Sequence, residues 1–295
     1  MIIVHGGAGL VGAERLPYLR GGTRAAAMAG EQVLARGGSA LDAVVTAVRL
    51  LEQDPEFGAA TGSALTRDGT VETGASVMDG ATKRAGAVAA VPDCAAPVIL
   101  ARRVLEMGEH VVLAGIAAQT LANEIGFPPA PPGSLITART QQQLAAAKAG
   151  QRMVEGGGVG AVARDAKGNF AAATSTGGIV FRRAGSIDDS AIPGVGSWAD
   201  DVCAVSTSGG ESLFRVALAH NIAMRIHAGA GPRKAVEKAL SDLRDLAKDQ
   251  IAGAIVLDKN SWVALQIGPS APIPATMPCG WVDPMGPNDA PGFPL

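Results

Sequence analysis

Apolar and polar positions change period several times along the chain, and each change marks an element. The first residues are apolar as far as Val4 and then meet His5-Gly6-Gly7, a buried strand running into a glycine loop. Helical spacing follows from about residue 20 to 36 and stops at Gly37-Gly38. Ser39, with Asp42 three residues on, forms a carboxylate version of the capping box and starts a second helix. Leu41, Val44, Val45, Val48 and Leu51 share one face of that helix. Residues 62–91 alternate, with turn signals at Arg67-Asp68-Gly69 and Asp79-Gly80, which predicts antiparallel strands joined by hairpins. Two helices are predicted near 96–107 and 111–125.

Regular patterning lapses over 126–157. The run Phe127-Pro128-Pro129-Ala130-Pro131-Pro132-Gly133 excludes helix and strand. Residues 141–148 form a short polar-alanine helix at most, and Gly156-Gly157-Gly158 closes the segment, which reads as a linker between a first half (1–125) and a second (158–268). Strands are predicted at 159–164 and 170–174, a loop over 177–201, and a strand at 202–207. Helices near 211–227 and 232–248 precede a hairpin of 251–257 with 262–267. From Pro269 to residue 295 the Pro/Gly-rich sequence has no period and reads as an extended arm or disordered tail. Strands that alternate with helix pairs predict one α/β layered domain over 1–268, a four-layer αββα sandwich. A doubly wound parallel sheet is disfavoured because the turns have hairpin length.

Composition narrows the partners. Hydrophobic residues make up 47% and aromatics 3% of the 295, so the core must rest on small side chains and close backbone approach. A net charge of −2 without a basic stripe gives no footprint for nucleic acid. No apolar run is long enough to span a bilayer, and the N-terminal pattern is not that of a secretory signal. Three cysteines at unrelated spacings suggest neither a disulfide framework nor zinc, and a cytoplasmic setting is the expectation.

Several residues invite chemistry and have plainer readings beside it. His5 braces the glycine loop, and His220 packs half-buried on a helix face. The triple glycine is not a phosphate loop, since no Lys-Ser/Thr follows. Thr174 and Ser175 read as strand residues and Thr176 as a pocket hydroxyl, with no adjacent base in the sequence. Asp188-Asp189 reads as a solvated pair rather than a metal site.

Five segments taken in order carry a resemblance. They are Val4-His5-Gly6-Gly7-Ala8-Gly9, Gly37-Gly38-Ser39-Ala40-Leu41-Asp42-Ala43-Val44, Ala75-Ser76-Val77-Met78-Asp79-Gly80, Val159-Gly160-Ala161-Val162-Ala163 and Ala172-Ala173-Thr174-Ser175-Thr176-Gly177-Gly178. Together they resemble the plant-type asparaginase/isoaspartyl-peptidase family of threonine-type N-terminal-nucleophile hydrolases, over roughly residues 1–268. The resemblance implies a precursor that cleaves itself before a threonine. That threonine's hydroxyl then attacks β-amide bonds with its own freed amine as base, releasing aspartate. It implies a homodimer, no organic cofactor and, in some members, a structural sodium held by main-chain carbonyls of the loop matching Glu52 to Ala60.

Carried over position by position, the nucleophile falls on Gly158, which has no side chain. Thr176 matches the second threonine, Ser208 and Gly209 the oxyanion pair, and Asp189 the aspartate that holds the substrate ammonium, with Gly210 also in the binding loop. That loop is one residue shorter than the family's. Ser186 falls where an arginine clamps the substrate carboxylate, a contact that a hydroxyl does not replace. Arg182 or Arg183 upstream is a candidate substitute. Gly58 and Gly74 stand where the family has asparagine and aspartate. Three readings stay open. The chain is a natural member with a repurposed binding or catalytic role, an engineered nucleophile-to-glycine variant of an ordinary hydrolase, or a hydrolase using another nucleophile. The ligand expected in the first case is a small amine-bearing molecule or peptide.

Overall fold

A computed structural model describes residues 1–151, 157–268, 275–283 and 285–293. In chain order the elements are β1 (Ile2–His5), β2 (Gly9–Leu10), α1 (Leu16–Ala35), α2 (Ala40–Gln53), β3 (Glu72–Asp79), β4 (Arg84–Pro92), α3 (Pro97–Met107), β5 (Val112–Ala114), α4 (Gly115–Glu124) and α5 (Ala138–Lys148). The second half holds β6 (Val159–Arg164), β7 (Phe170–Thr176), β8 (Ser197–Ala199), β9 (Cys203–Ser208), α6 (Leu218–His227), α7 (Pro232–Leu246), β10 (Ala252–Asp258), β11 (Trp262–Ile267), β12 (Ala275–Thr276), β13 (Cys279–Asp283) and β14 (Gly286–Ala290). An eight-stranded sheet, ordered β14-β13-β1-β6-β7-β3-β4-β5, faces a four-stranded sheet, β11-β10-β9-β8.

The layers follow from period-two alternation along the central strands. Val159, Ala161 and Ala163 of β6 and Ala171 and Ala173 of β7 point to one apolar layer, against Val44, Val48 and Leu51 of α2 and Val98 and Ala101 of α3. The intervening Val162, Phe170 and Ala172 point the other way and meet Ile255 and Leu257 of β10. The outer face of β10 and β11 packs on α6 and α7 through Val256, Leu265, Ile222 and Leu240. The result is the expected αββα sandwich. Its middle layer mixes Phe170, Ile255 and Leu257 with alanines, and at Gly160, where a Cβ would lie 2.0 Å from Ser206 Oγ, the two sheets approach closely.

Local signals were accurate where a cap fixed them. Ser39 Oγ accepts from the Asp42 amide and Asp42 reaches back to the Ser39 amide, so the capping box forms as read. Four expectations need correction. Residues 62–71 are a turn-rich loop in which Thr66 Oγ1 and Thr70 Oγ1 bond at 2.7 Å, not a strand. The helix expected at 111–125 begins at Gly115, because Val112–Ala114 pairs in parallel with β4. Inside the linker, α5 spans eleven residues and has its own capping box, Thr137 with Thr140. Finally, the described part of the expected tail carries β12, β13 and β14, while residues 269–274, 284 and 294–295 lie outside the described residues. β13 pairs antiparallel with β1, β14 closes a hairpin on it, and Asp289 binds Arg20 at 2.6 Å and Arg24 at 3.3 Å. Pairing covers an edge that β1 would otherwise leave open, a gain that local sequence does not reveal.

Between the sheets runs a buried polar chain. The Gly7 amide donates to His5 Nδ1 at 3.2 Å, so the neutral ring carries its proton on Nε2 and donates to Ser206 Oγ at 2.9 Å. Thr174 Oγ1 lies 3.1 Å from Ser206 Oγ and donates to the Gly196 carbonyl at 3.0 Å. Burial pushes His5 down to about 3 from its ordinary 6.5. The unfolded chain therefore binds the extra proton between those values, and the folded state loses stability as pH falls below about 6.5, by up to about 1.4 kcal/mol per pH unit. His5→Gln is expected to be less stable than the parent at pH 7.5, with the deficit shrinking toward pH 4. Urea midpoints of the two proteins measured across that range check this, and parallel curves would refute it.

Candidate functional site

The candidate site lies where β6 begins, β7 ends and β9 ends. Gly158 directly precedes β6, and Val159 pairs with Ser175 of β7. A Cβ placed on Gly158 would lie 2.0 Å from the Ser175 carbonyl oxygen and 2.8 Å from Thr176 Cβ, so the backbone leaves no room for a side chain there. Gly7, at φ +93°, presses from the other side: a Cβ on it would lie 2.2 Å from the Gly157 carbonyl oxygen. The junction between Gly157 and Gly158 is thus clamped between the glycine loop after β1 and the end of β7.

Of the positions inferred from the resemblance, Thr176 lies against Gly158 and Ser208 and Gly209 against Gly157. Ser208 Oγ, at the end of β9, accepts from the Ala8 amide at 3.0 Å, and a Cβ on Gly157 would lie 3.0 Å from it. The Gly209 carbonyl accepts from Gln250 Nε2. Thr176 Oγ1 donates to Asp188 Oδ2 at 3.0 Å and accepts from the Gly178 amide at 2.8 Å. Asp189 opens a short 3₁₀ turn, and its Oδ1 accepts from the Gly210 amide at 3.1 Å. Its Oδ2 is buried and finds no partner among the described residues. Burial first, then the charge of Asp188, pushes the Asp189 carboxyl well above the usual carboxylate range. Such a group is satisfied by a proton or by a cationic ligand.

Two expectations fail here. Asp188 and Asp189 are 8% and 2% exposed, so they are not a solvated pair. They belong to the loop's internal bonding, with the Asp189 amide donating to Asp188 Oδ1 at 2.9 Å. Arg182 does not take the place of the missing carboxylate clamp. Its guanidinium binds Glu72 Oε2 at 2.7 Å and the Glu72 carbonyl at 2.7 Å, and Glu72 also holds the Gly185 amide at 2.8 Å. Arg183 is exposed, and Ser186 Oγ donates to Glu211 Oε1 at 2.7 Å.

Other groups come together that sequence reading did not join. Asp188 beside Thr176 is the carboxylate neighbour that the sequence concealed, although the two residues are only twelve apart. Ser175 Oγ donates to Glu52 Oε1 at 2.7 Å across 123 residues. Burial pushes Glu52 up to about 7, but both residues are fully enclosed and out of a substrate's reach. Arg139 and Gln143 of α5 line a cavity of about 350 Å³ together with Gly58, Gly178, Gly209, Gly210, Glu211 and Gln250. That cavity adjoins the junction through Gly209 and Gly210. Arg139 was hidden in a segment that reads as a spacer, and only its place after a Thr137 N-cap hints at an ordered role. No cluster of three metal-ligating side chains occurs among the described residues, and no helix among them is long and apolar enough to cross a membrane.

The arrangement sets a buried acidic pair and the Thr176 hydroxyl close to a junction at which residue 158 has no side chain. Comparison with known proteins agrees with the segments that first pointed this way. The sequence matches the asparaginase family over residues 1–271. It is 42% identical over 282 residues to the isoaspartyl peptidase/L-asparaginase of Mus musculus, covering 92% of this chain and 86% of that protein. The Homo sapiens isoaspartyl peptidase/L-asparaginase is also 42% identical over 282 residues, with 92% and 91% covered. The isoaspartyl peptidase of Salmonella typhimurium is 40% identical over 248 residues, with 78% and 79% covered. On this similarity, which runs through both halves of the sandwich, the chain belongs to the asparaginase family.

Proposed function

We propose that this chain is an uncleaved family member. It binds an amine-bearing ligand or peptide at Asp189 and does not hydrolyse β-amide bonds through residue 158. The observation that carries this reading is the packing at Gly158, where a Cβ would lie 2.0 Å from the Ser175 carbonyl oxygen. A nucleophilic hydroxyl needs a Cβ to carry it, and both self-cleavage and acyl transfer start from that hydroxyl. The surroundings have changed with it. Ser186 is bonded to Glu211, and Arg182 is bonded to Glu72, so neither meets an α-carboxylate. The ligand that suits the site has a primary amine for the unpartnered Asp189 oxygen and a masked carboxylate, as in a peptide or amide.

Two further parts of the reading concern the scaffold. The carbonyls of the Glu52 to Ala60 loop are neutral oxygens that already accept from neighbours, among them Glu52 from Thr61 and Gly58 from Gly177. Each keeps a second lone pair, so the donor set suits a monovalent cation such as sodium. Self-association is supported by Val111 and Ile116, 54% and 71% exposed beside the edge strand β5. Light scattering at twice the chain mass is the expected result.

One observation favours a second reading, a hydrolase with a different nucleophile: Thr176 Oγ1 lies 3.0 Å from Asp188 Oδ2. Assays separate the two. Ammonia or aspartate release from asparagine and isoaspartyl dipeptides is expected at background. Robust release that persists through repurification and disappears in Thr176→Ala would establish the second reading. Gly158→Ala is expected to destabilise the fold by about 1–3 kcal/mol, as for an overpacked core position. An unchanged urea midpoint would show that the junction has space. Gly158→Thr is not expected to restore efficient asparagine hydrolysis by itself, since a missing charge-assisted clamp costs roughly 1.5–3 kcal/mol.

Ligand binding is also expected to release a proton. Asp189 has its carboxyl pushed up, so it is more protonated when empty than when it faces an ammonium. Affinity for an amine ligand therefore rises with pH until the amine itself deprotonates. Calorimetry in two buffers of different ionisation heat measures the released proton. Equal heats in both buffers would remove Asp189 from the contact.

A further inference from the structure

Thr176 and Asp188 meet beneath the loop that follows β7, and the loop leaves both of them, with Asp189, buried. A ligand for the acidic pair therefore needs a way in. The first part of the loop is fixed. Val180 and Phe181 pack against the cluster of Leu65, Val71, Leu135 and Leu144. The Phe181 amide donates to the Leu65 carbonyl at 2.8 Å and the Arg67 amide to the Arg182 carbonyl at 2.9 Å. The far end is fixed too, through buried Asp188, Asp189 and Ser190 and the bond from the Gly210 amide to Asp189. Between these anchors Arg183, Ala184, Gly185 and Ile187 are exposed. Gly185 has φ +81°, and a Cβ on it would meet nothing within 4 Å, so the chain there stands clear of the body. Two carboxylates hold the stretch down. Glu72, the first residue of β3, accepts from the Gly185 amide at 2.8 Å and from Arg182 Nη1 at 2.7 Å. Glu211 accepts from Ser186 Oγ at 2.7 Å, an exposed contact.

We infer that residues 183–187 are a gate over Thr176 and Asp188, closed by the hold of Glu72 on the Gly185 amide and opened when that hold is released. Beneath the stretch lies a cavity of about 10 Å³, the room of a single water, bordered by Glu72, Thr176, Gly178, Arg182, Ser186 and Asp188. Lifting the stretch joins this cavity to the open groove outside, which Arg183, Gly185 and Glu211 border, and brings a primary amine to the acidic pair. The closed state is not fully satisfied, because Arg182 Nε is buried without a partner among the described residues. Water that enters on opening supplies that partner. An exposed stretch with so few contacts opens at far lower cost than the strands that flank it, and Gly185 absorbs the change in backbone angle. The inference rests on the reading of Asp189 as an ammonium contact, and the test separates the two.

The test measures access to the acidic pair on the intact chain. Carboxyl groups are labelled with a water-soluble carbodiimide and glycinamide, and the labelled positions are found by peptide mass spectrometry. Asp200 is the internal control, since it is 3% exposed and is bonded to Trp198 and His227 outside the loop. Glu72→Ala is expected to speed labelling of Asp188 and Asp189 by about tenfold or more, the range of a charge-assisted hydrogen bond, and to leave Asp200 unchanged. It also leaves the Arg182 charge buried without its carboxylate, which favours the open state. Glu72→Gln keeps an acceptor for the Gly185 amide and is expected to give a smaller rise. Ser186→Ala removes only the outer contact and is expected to give about a twofold to fivefold rise, which keeps the test decisive if Glu72→Ala does not fold. Labelling of the pair that none of the folded variants changes, or an equal rise at Asp200, overturns the gate and leaves the Asp189 reading in place. The expected labelling with no calorimetric heat from the C-terminal amide of aspartyl-alanine, in parent and Glu72→Ala alike, overturns the ammonium contact and leaves the gate.

Discussion

The approach of β6 to β7 at the chain's central junction governs this site. These are neighbouring strands of the eight-stranded sheet, with Val159 paired to Ser175, and at the head of β6 the backbone comes so near the Ser175 carbonyl that residue 158 has no space for a side chain. Gly7 meets the Gly157 carbonyl from the opposite side. The strand pairing that builds the large sheet therefore also fixes the geometry around the position where the resemblance places a nucleophile. Thr176 and Ser208 are the last residues of β7 and β9, and Asp189 stands in the short 3₁₀ turn between β7 and β8.

Charge at the pocket is redistributed rather than lost. Asp189 keeps a buried oxygen without a partner, and Asp188 beside it both raises its pKa and ties down the Thr176 hydroxyl. An isolated buried anion is costly unless a proton or a cation joins it, which is the ground for proposing an amine beside Asp189. The guanidinium nearest in sequence, Arg182, is bonded to Glu72 and takes no part. The guanidinium that does border the cavity comes from α5, far along the chain.

Much of the fold was legible because it rests on local rules. Ser39 and Asp42 cap α2 as their spacing predicts, and the strands read at 159–164, 170–174, 251–257 and 262–267 form as β6, β7, β10 and β11. Elements that depend on distant partners were not legible. β13 looks like a stray Cys-Gly-Trp-Val-Asp run until β1 pairs with it, and α5 looks like filler until Leu144 and Thr140 are buried. The site divided in the same way. Thr176 and Ser208 were named from motifs and lie beside Gly158 and Gly157, and Asp189 bonds to the Gly210 amide. The Thr176–Asp188 bond, the burial of the acidic pair and the position of Arg139 depend on how loops fold over the strand ends, which no periodicity encodes.

The central claim is that the junction at Gly157-Gly158 stays intact and that no chemistry starts from it. Intact-mass spectrometry of the purified protein, repeated after prolonged incubation at neutral pH and 37 °C, tests this most directly. The account predicts one species at the full chain mass of 29.6 kDa, with Gly157 and Gly158 still joined. Two fragments that meet between Gly157 and Gly158 would contradict it.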